Sequence, residues 1–208
     1  MFPLPPAFHS MFVHLLTGLF FFTLVAVLVR AFITWRGMPA RGPIAVASDL
    51  GAYWSAIIGI FFSLVSIVTG FLLQSLGAAV NSPVIRNKIL TAVILTVIFG
   101  VFVVMRYRLG EGMWGNRWLA LFAAFLAVAG YHWNLVTNSI GGDIAGVPSG
   151  YETIVRLSGV ETRFTYYLPW WVLALIAVAA IGLVAFAYLT SDRDEVAEDE
   201  AVGSSTGS

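Results

Sequence analysis

Apolar residues run along this chain in long blocks separated by short clusters of charge, glycine and proline, instead of alternating with polar ones. A helix needs about 20 apolar residues to cross a hydrocarbon layer of roughly 30 Å. The blocks that meet this length are Met11 to Val29, Ala52 to Leu73, Ile89 to Met105, Trp118 to Val136 and Leu168 to Leu189. The pattern predicts an all-α protein, an integral membrane bundle of five transmembrane helices over residues 1–190. Residues 191–208 are acidic and then Gly/Ser-rich, a composition that cannot bury a core and predicts a disordered tail.

The punctuation between the blocks is consistent with this reading. Met1 to Ala7, with three prolines, predicts an extended lead-in. Arg30 closes the first span, where its stem can snorkel to the interface. Thr34 to Asp49 reads as a loop, as do Gln74 to Asn87, the turn Leu109-Gly110-Glu111-Gly112 and the long connection Thr137 to Tyr167. Ser55, Gly59 and Ser63, then Ser66 and Gly70, form a stripe of small residues on span two, which lets backbones approach closely in lipid.

Composition narrows the classes of function. The chain is 59% hydrophobic and 11% charged, with mean hydropathy +0.89, against about 25% charged in a soluble domain. Without cysteine it can build no disulfide, thiolate metal site, iron–sulfur cluster or covalently attached haem. A formal net charge of zero and the lack of a dense basic run exclude nucleic acid as a partner class. The N-terminus shows neither the basic region nor the cleavage site of a removable signal peptide.

Five spans put the termini on opposite sides. The N-terminal side carries Arg86, Lys88, Arg156 and Arg163; the other carries Arg30, Arg36, Arg41, Arg106, Arg108, Arg117 and Arg193. The positive-inside rule then predicts an external N-terminus and a cytoplasmic tail, in a multi-pass protein of a prokaryotic plasma membrane.

Ionisable side chains at membrane depth are functional candidates, which draws attention to His9, His14 and His132. If span four ends at Asn138, His14 and His132 both lie roughly 5–10 Å below the outer boundary. Two imidazoles at one depth on different helices could supply both axial ligands of a b-type haem, and Arg156 or Arg163 could pair with its propionates. His9 stands about 140° around the helix from His14, so the two should not share a face. A copper or zinc site could draw on His9, His14, His132 and Asp143, though that spacing is poor for one centre. The competing reading makes these histidines interfacial, since Tyr131 and Trp133 flank His132 as in an aromatic belt. In the outer connection, Ser149 with Glu152 fits a capping box and predicts a short helix near Gly150. Such a helix could cover the haem edge or line a quinone pocket. Hydrolytic arrangements such as Ser–His–Asp, Cys–His or HExxH are absent.

The segment Phe8-His9-Ser10-Met11-Phe12-Val13-His14 resembles the start of a family of small bacterial multi-span membrane proteins. Their first helix opens with a His-Pro-x-x-x-His-Phe-Pro pattern. Thr69-Gly70-Phe71 and Gly141-Gly142-Asp143 are also similar. The resemblance covers residues 8 to about 150 and implies four spans, a membrane redox role beside Rieske-type proteins, and His9 and His14 as candidate ligands. Ser10 and Leu15 depart from it where prolines are expected, as does the lack of a histidine near Lys88.

Two functional expectations follow. The first is a membrane electron-transfer subunit that binds haem b through His14 and His132 and passes electrons between quinone, or a membrane partner, and an extracytoplasmic redox protein. Its activity would be that of an accessory subunit of an oxidoreductase complex, not of a stand-alone enzyme. The second is a haem-free anchoring subunit of a larger membrane complex. A transporter is disfavoured, because no span is visibly broken and no inverted repeat occurs.

Overall fold

The computed structural model describes residues 6–39, 41–73, 77, 81–147, 150–157, 174, 175 and 178. Contacts divide the chain into two units, Met1–Leu168 and Pro169–Ser208. The first is all-helical among its described residues: α1 (Pro6–Trp35), α2 (Pro43–Leu73), α3 (Pro83–Leu109), a 3₁₀ segment (Gly110–Gly115), α4 (Arg117–Ile144) and a short α5 (Gly150–Leu157). In the second, residues 174, 175 and 178 are helical.

Local chemistry sets the helix ends. Prolines open α1, α2 and α3, where a missing N–H costs nothing and the fixed φ suits the first turn. Asn116 caps α4 by accepting from the N–H of Trp118 at 2.8 Å. α1 stops at Gly37, whose φ of 64° lets the Met38 N–H return to the Ile33 carbonyl at 3.1 Å.

α1 to α4 are each long and apolar enough to cross a membrane. They form an up-down-up-down bundle in which α1 packs on α2 and α4, and α3 on α2 and α4. Cross-helix pairs fix the antiparallel register: Thr23 with Ser55 (2.7 Å) and His9 with Thr69 (3.1 Å), Ser63 with Thr96 (2.8 Å), and Thr137 with Thr91 (2.8 Å). In lipid such hydrogen bonds hold helices together by about 0.6 kcal/mol each. Large apolar side chains such as Phe21, Phe22, Phe32, Phe61 and Phe125 face outward, the arrangement expected of a surface solvated by acyl chains.

The bundle is plugged at mid-height. Phe20 and Phe99 stack in parallel with centroids 4.0 Å apart, both fully buried. Each ring lies on a glycine: a Cβ at Gly59 would sit 2.6 Å from Phe20, and one at Gly130 2.8 Å from Phe99. The small-residue stripe of α2 thus finds its partners within the chain. Gly59 receives Phe20, Gly70 receives the His9 ring, Ser55 bonds Thr23 and Ser63 bonds Thr96.

Several expected boundaries need correction. Residues 43–49, read as loop, are the first two turns of α2, and α3 begins at Pro83, six residues before Ile89. Asn138 to Asp143 belong to the end of α4. Glu111 sits in a 3₁₀ turn. Hydropathy falls at the first charged residue, but the backbone ladder continues wherever that residue is paired or faces an internal space. The expected fifth span, Leu168 to Leu189, lies outside the described residues apart from 174, 175 and 178; among the described residues four helices are long and apolar enough to cross a membrane. The expected tail lies outside them as well.

Candidate functional site

Between the plug and the end where α1 and α3 begin, the four helices line a cavity of about 920 Å³. It extends from Ile144 down to Asn134, about 15 Å along α4 at 1.5 Å per residue. Leu16 and Leu95, both buried, line it at the depth of the floor. Among the mostly apolar lining residues stand His9, His14, Thr17, Lys88, Asn134 and Asn138. Among the described residues, none that lines it is Asp or Glu.

Some of these groups are bonded. His9 Nδ1 meets the Thr69 hydroxyl at 3.1 Å. Asn138 Nδ2 donates to Thr17 Oγ1 at 2.9 Å, tying α4 to α1. Two are not. The Lys88 ammonium lies against Gly141 of α4, 3.2 Å from where a Cβ would be, and has no carboxylate partner among the described residues. Asn134 is 0% exposed, and neither its Nδ2 nor its Oδ1 has a hydrogen-bond partner. Its amide is shut off by its neighbours, so a group in the cavity would meet it only after a side-chain rotation. Leaving a buried amide unmet costs about 1–3 kcal/mol.

The expected ligands are distributed unequally. His9 and His14 both border the cavity, although their spacing argued against a shared face. The reason is the breadth of the space, which takes in positions from Ala7 to Thr17 on α1. His132 does not line it. That ring is exposed on the outside of α4, where Nδ1 meets the Tyr151 hydroxyl at 2.6 Å and the ring packs edge-on against Trp133. Thr17 is level with Asn138, and Phe21 with Tyr131. This register puts His14 and His132 about 10 Å apart along the bundle axis. The structure therefore does not bring the two together as an axial pair. The equal depth inferred from sequence assumed that α4 ends at Asn138, whereas it continues to Ile144. Arg156 lies in α5 and Arg163 outside the described residues. Among the described residues no three His, Asp or Glu side chains gather as a metal site.

The opposite end of the bundle is built around Asp49, which the sequence placed at the end of a loop. Asp49, 5% exposed, accepts from Arg106 Nε (2.7 Å) and Nη2 (2.6 Å) and from the indole N–H of Trp114 (2.6 Å). Arg30, expected to snorkel, is instead 4% exposed, its guanidinium 5.5 Å above the Trp114 ring. Its Nε and Nη1 have no hydrogen-bond partner. The 3₁₀ segment folds Met113 and Trp114 into the bundle end and closes it.

Asn134, Asn138 and Lys88 escaped the sequence reading. The signal was present, since Asn134 and Asn138 interrupt an otherwise apolar helix, but the neighbouring Tyr131-His132-Trp133 drew the interpretation toward an interface. Compared with protein-family models, curated proteins and solved structures, the chain matches none of them.

Proposed function

We propose that this protein is a membrane-embedded binding subunit whose cavity takes up an amphiphile from the lipid phase. The observation that carries the reading is the cavity with its unmet polar groups: Lys88 without a carboxylate and Asn134 with an unbonded amide, on the wall of an otherwise apolar space. Polar groups at membrane depth are costly unless something meets them. The volume falls within the range of about 300–1,000 Å³ typical of small-molecule sites. The polar head would sit among His9, His14, Lys88 and Asn138, and the apolar body along α1 and α2. On the positive-inside rule, the end carrying Arg30, Arg36, Arg41, Arg106, Arg108 and Arg117 is cytoplasmic and the cavity faces the other side.

A second reading gives the same cavity to a quinone in an electron-transfer subunit with haem b as its redox group. The two histidines on the wall favour it. Native mass spectrometry of protein released from mild detergent, after equilibration with a total lipid extract, tests the first reading. Wild type should carry a bound mass of lipid size, and Ala92→Phe, which fills the cavity from α3, should lose it. Equal spectra with no bound mass would sink the reading. A reduced-minus-oxidised absorption spectrum with a b-type α-band would shift support to the second.

A further inference from the structure

Resting on the cavity reading, the donor set defines the head group more narrowly: we infer that the occupant is an anionic amphiphile, one carboxylate or phosphate on an acyl chain, with Lys88 as its counter-charge. Among the described residues, the lining side chains that can carry charge are Lys88, His9 and His14, all cationic when charged, and none is acidic. The Asp49–Arg106 ion pair lies at the other end of the bundle. An ammonium in an apolar bundle without a carboxylate is expensive, and an anion entering beside it removes that cost. A neutral quinone would leave it in place.

Gly141 makes the position possible. The ammonium occupies the space a side chain would fill on α4, and a Cβ there would lie 3.2 Å from Nζ and 3.4 Å from Cε. Lys88 therefore reaches from α3 across to α4 and presents its charge within the cavity, instead of snorkelling to the helix end. The Asn138 amide also lines this space, and with one N–H given to Thr17 its second can donate to a head group. The arrangement resembles a lipid-facing slot with one charged anchor.

The test uses the full chain in mild detergent with dansyl-labelled undecanoic acid as the bound probe. Three competitors share one chain and differ in head, oleate, oleyl phosphate and oleyl alcohol, and a decyl-substituted quinone is the fourth. Oleate or oleyl phosphate should displace the probe, and oleyl alcohol should be weaker by about tenfold, the equivalent of one charge-assisted hydrogen bond. Lys88→Gln should weaken the anions by about tenfold, leave oleyl alcohol unchanged and be rescued by Lys88→Arg. Whether oleate or oleyl phosphate competes better separates a free fatty acid from a phospholipid head. Equal displacement by alcohol and acid, an unchanged Lys88→Gln, or displacement by the quinone alone would overturn the anionic assignment while keeping the cavity. Absence of saturable binding by any of these compounds, in wild type and Ala92→Phe alike, would instead remove the cavity reading itself.

Discussion

The two ends of the bundle use similar polar material and arrive at opposite results. At the arginine end, one carboxylate takes three donors from α3 and the 3₁₀ turn, and Trp114 offers its ring face to Arg30 while its N–H is bound to Asp49. The helices close over this cluster. At the cavity end, Lys88 has no carboxylate among the described residues and Asn134 no hydrogen bond, and the helices leave an open space. The Phe20–Phe99 stack lies between them in height. Buried polarity holds a membrane bundle together where it is internally satisfied. Where it is left unmet beside open space, it becomes a capacity to bind.

The largest expected effect lies at the closed end. Asp49→Asn removes the charge that two N–H groups of Arg106 and the Trp114 indole share, leaving buried cations uncompensated. Breaking a buried pair from one side costs about 3–5 kcal/mol, so this variant should show the greatest drop in thermal midpoint by size-exclusion in detergent. A midpoint within a degree of wild type would mean that the cluster contributes little to closure. Arg30→Met provides the contrast at the same site. Since two of its guanidinium nitrogens are unbonded, replacing it with an apolar side chain should be neutral or stabilising. A loss comparable to that of Asp49→Asn would show that Arg30 is a full partner in the cluster.

Next in size are the glycines of the plug. Gly59→Ala and Gly130→Ala each drive a methyl to within 3 Å of a buried ring, and overpacking of this kind costs about 1–3 kcal/mol. Combining Gly130→Ala with Phe99→Leu should recover part of that loss by removing ring atoms from the contact. The same measurement sharpens the division of the molecule. If the plug separates two independent ends, Gly130→Ala should lower the thermal midpoint without changing probe affinity in the cavity. Loss of both together would show that the ends are coupled through the rings.

The sequence made the existence of the spans legible, because a run of apolar residues of membrane length has few other uses. It hid their ends. Asp49, Lys88 and Asn138 mark where hydropathy falls, yet all three are helical, one neutralised by Arg106, one in the cavity and one bonded to Thr17. Those same residues build both polar regions, so the error in boundaries and the error in candidate site have one cause. His9 and His14 were recognised because histidine is rare in spans. Their sharing of one cavity was not, because the angle between two positions on a helix says nothing about the width of the space they face. Asn134 could have been flagged as an amide deep in an apolar run, but only the packing shows that nothing bonds it. The Asp49 cluster needs α2, α3 and the 3₁₀ turn at once, a long-range meeting that no local pattern records.

The smallest expected effect concerns His132, which belongs to neither end. Its ring is exposed and bonded to Tyr151 of α5, on the flank of α4 away from the cavity. Tyr151→Phe removes that hydroxyl and should cost about 0.5–1.5 kcal/mol at most, confined to the docking of α5. Limited proteolysis should then cut faster within residues 145–157 while the thermal midpoint and the affinity of the cavity for its probe stay unchanged. His132→Phe should behave in the same way, since it keeps the ring contact with Trp133 and loses only the bond. A fall in probe affinity in either variant would connect this flank to the cavity through α4, and would make the outer face of that helix part of the binding machinery.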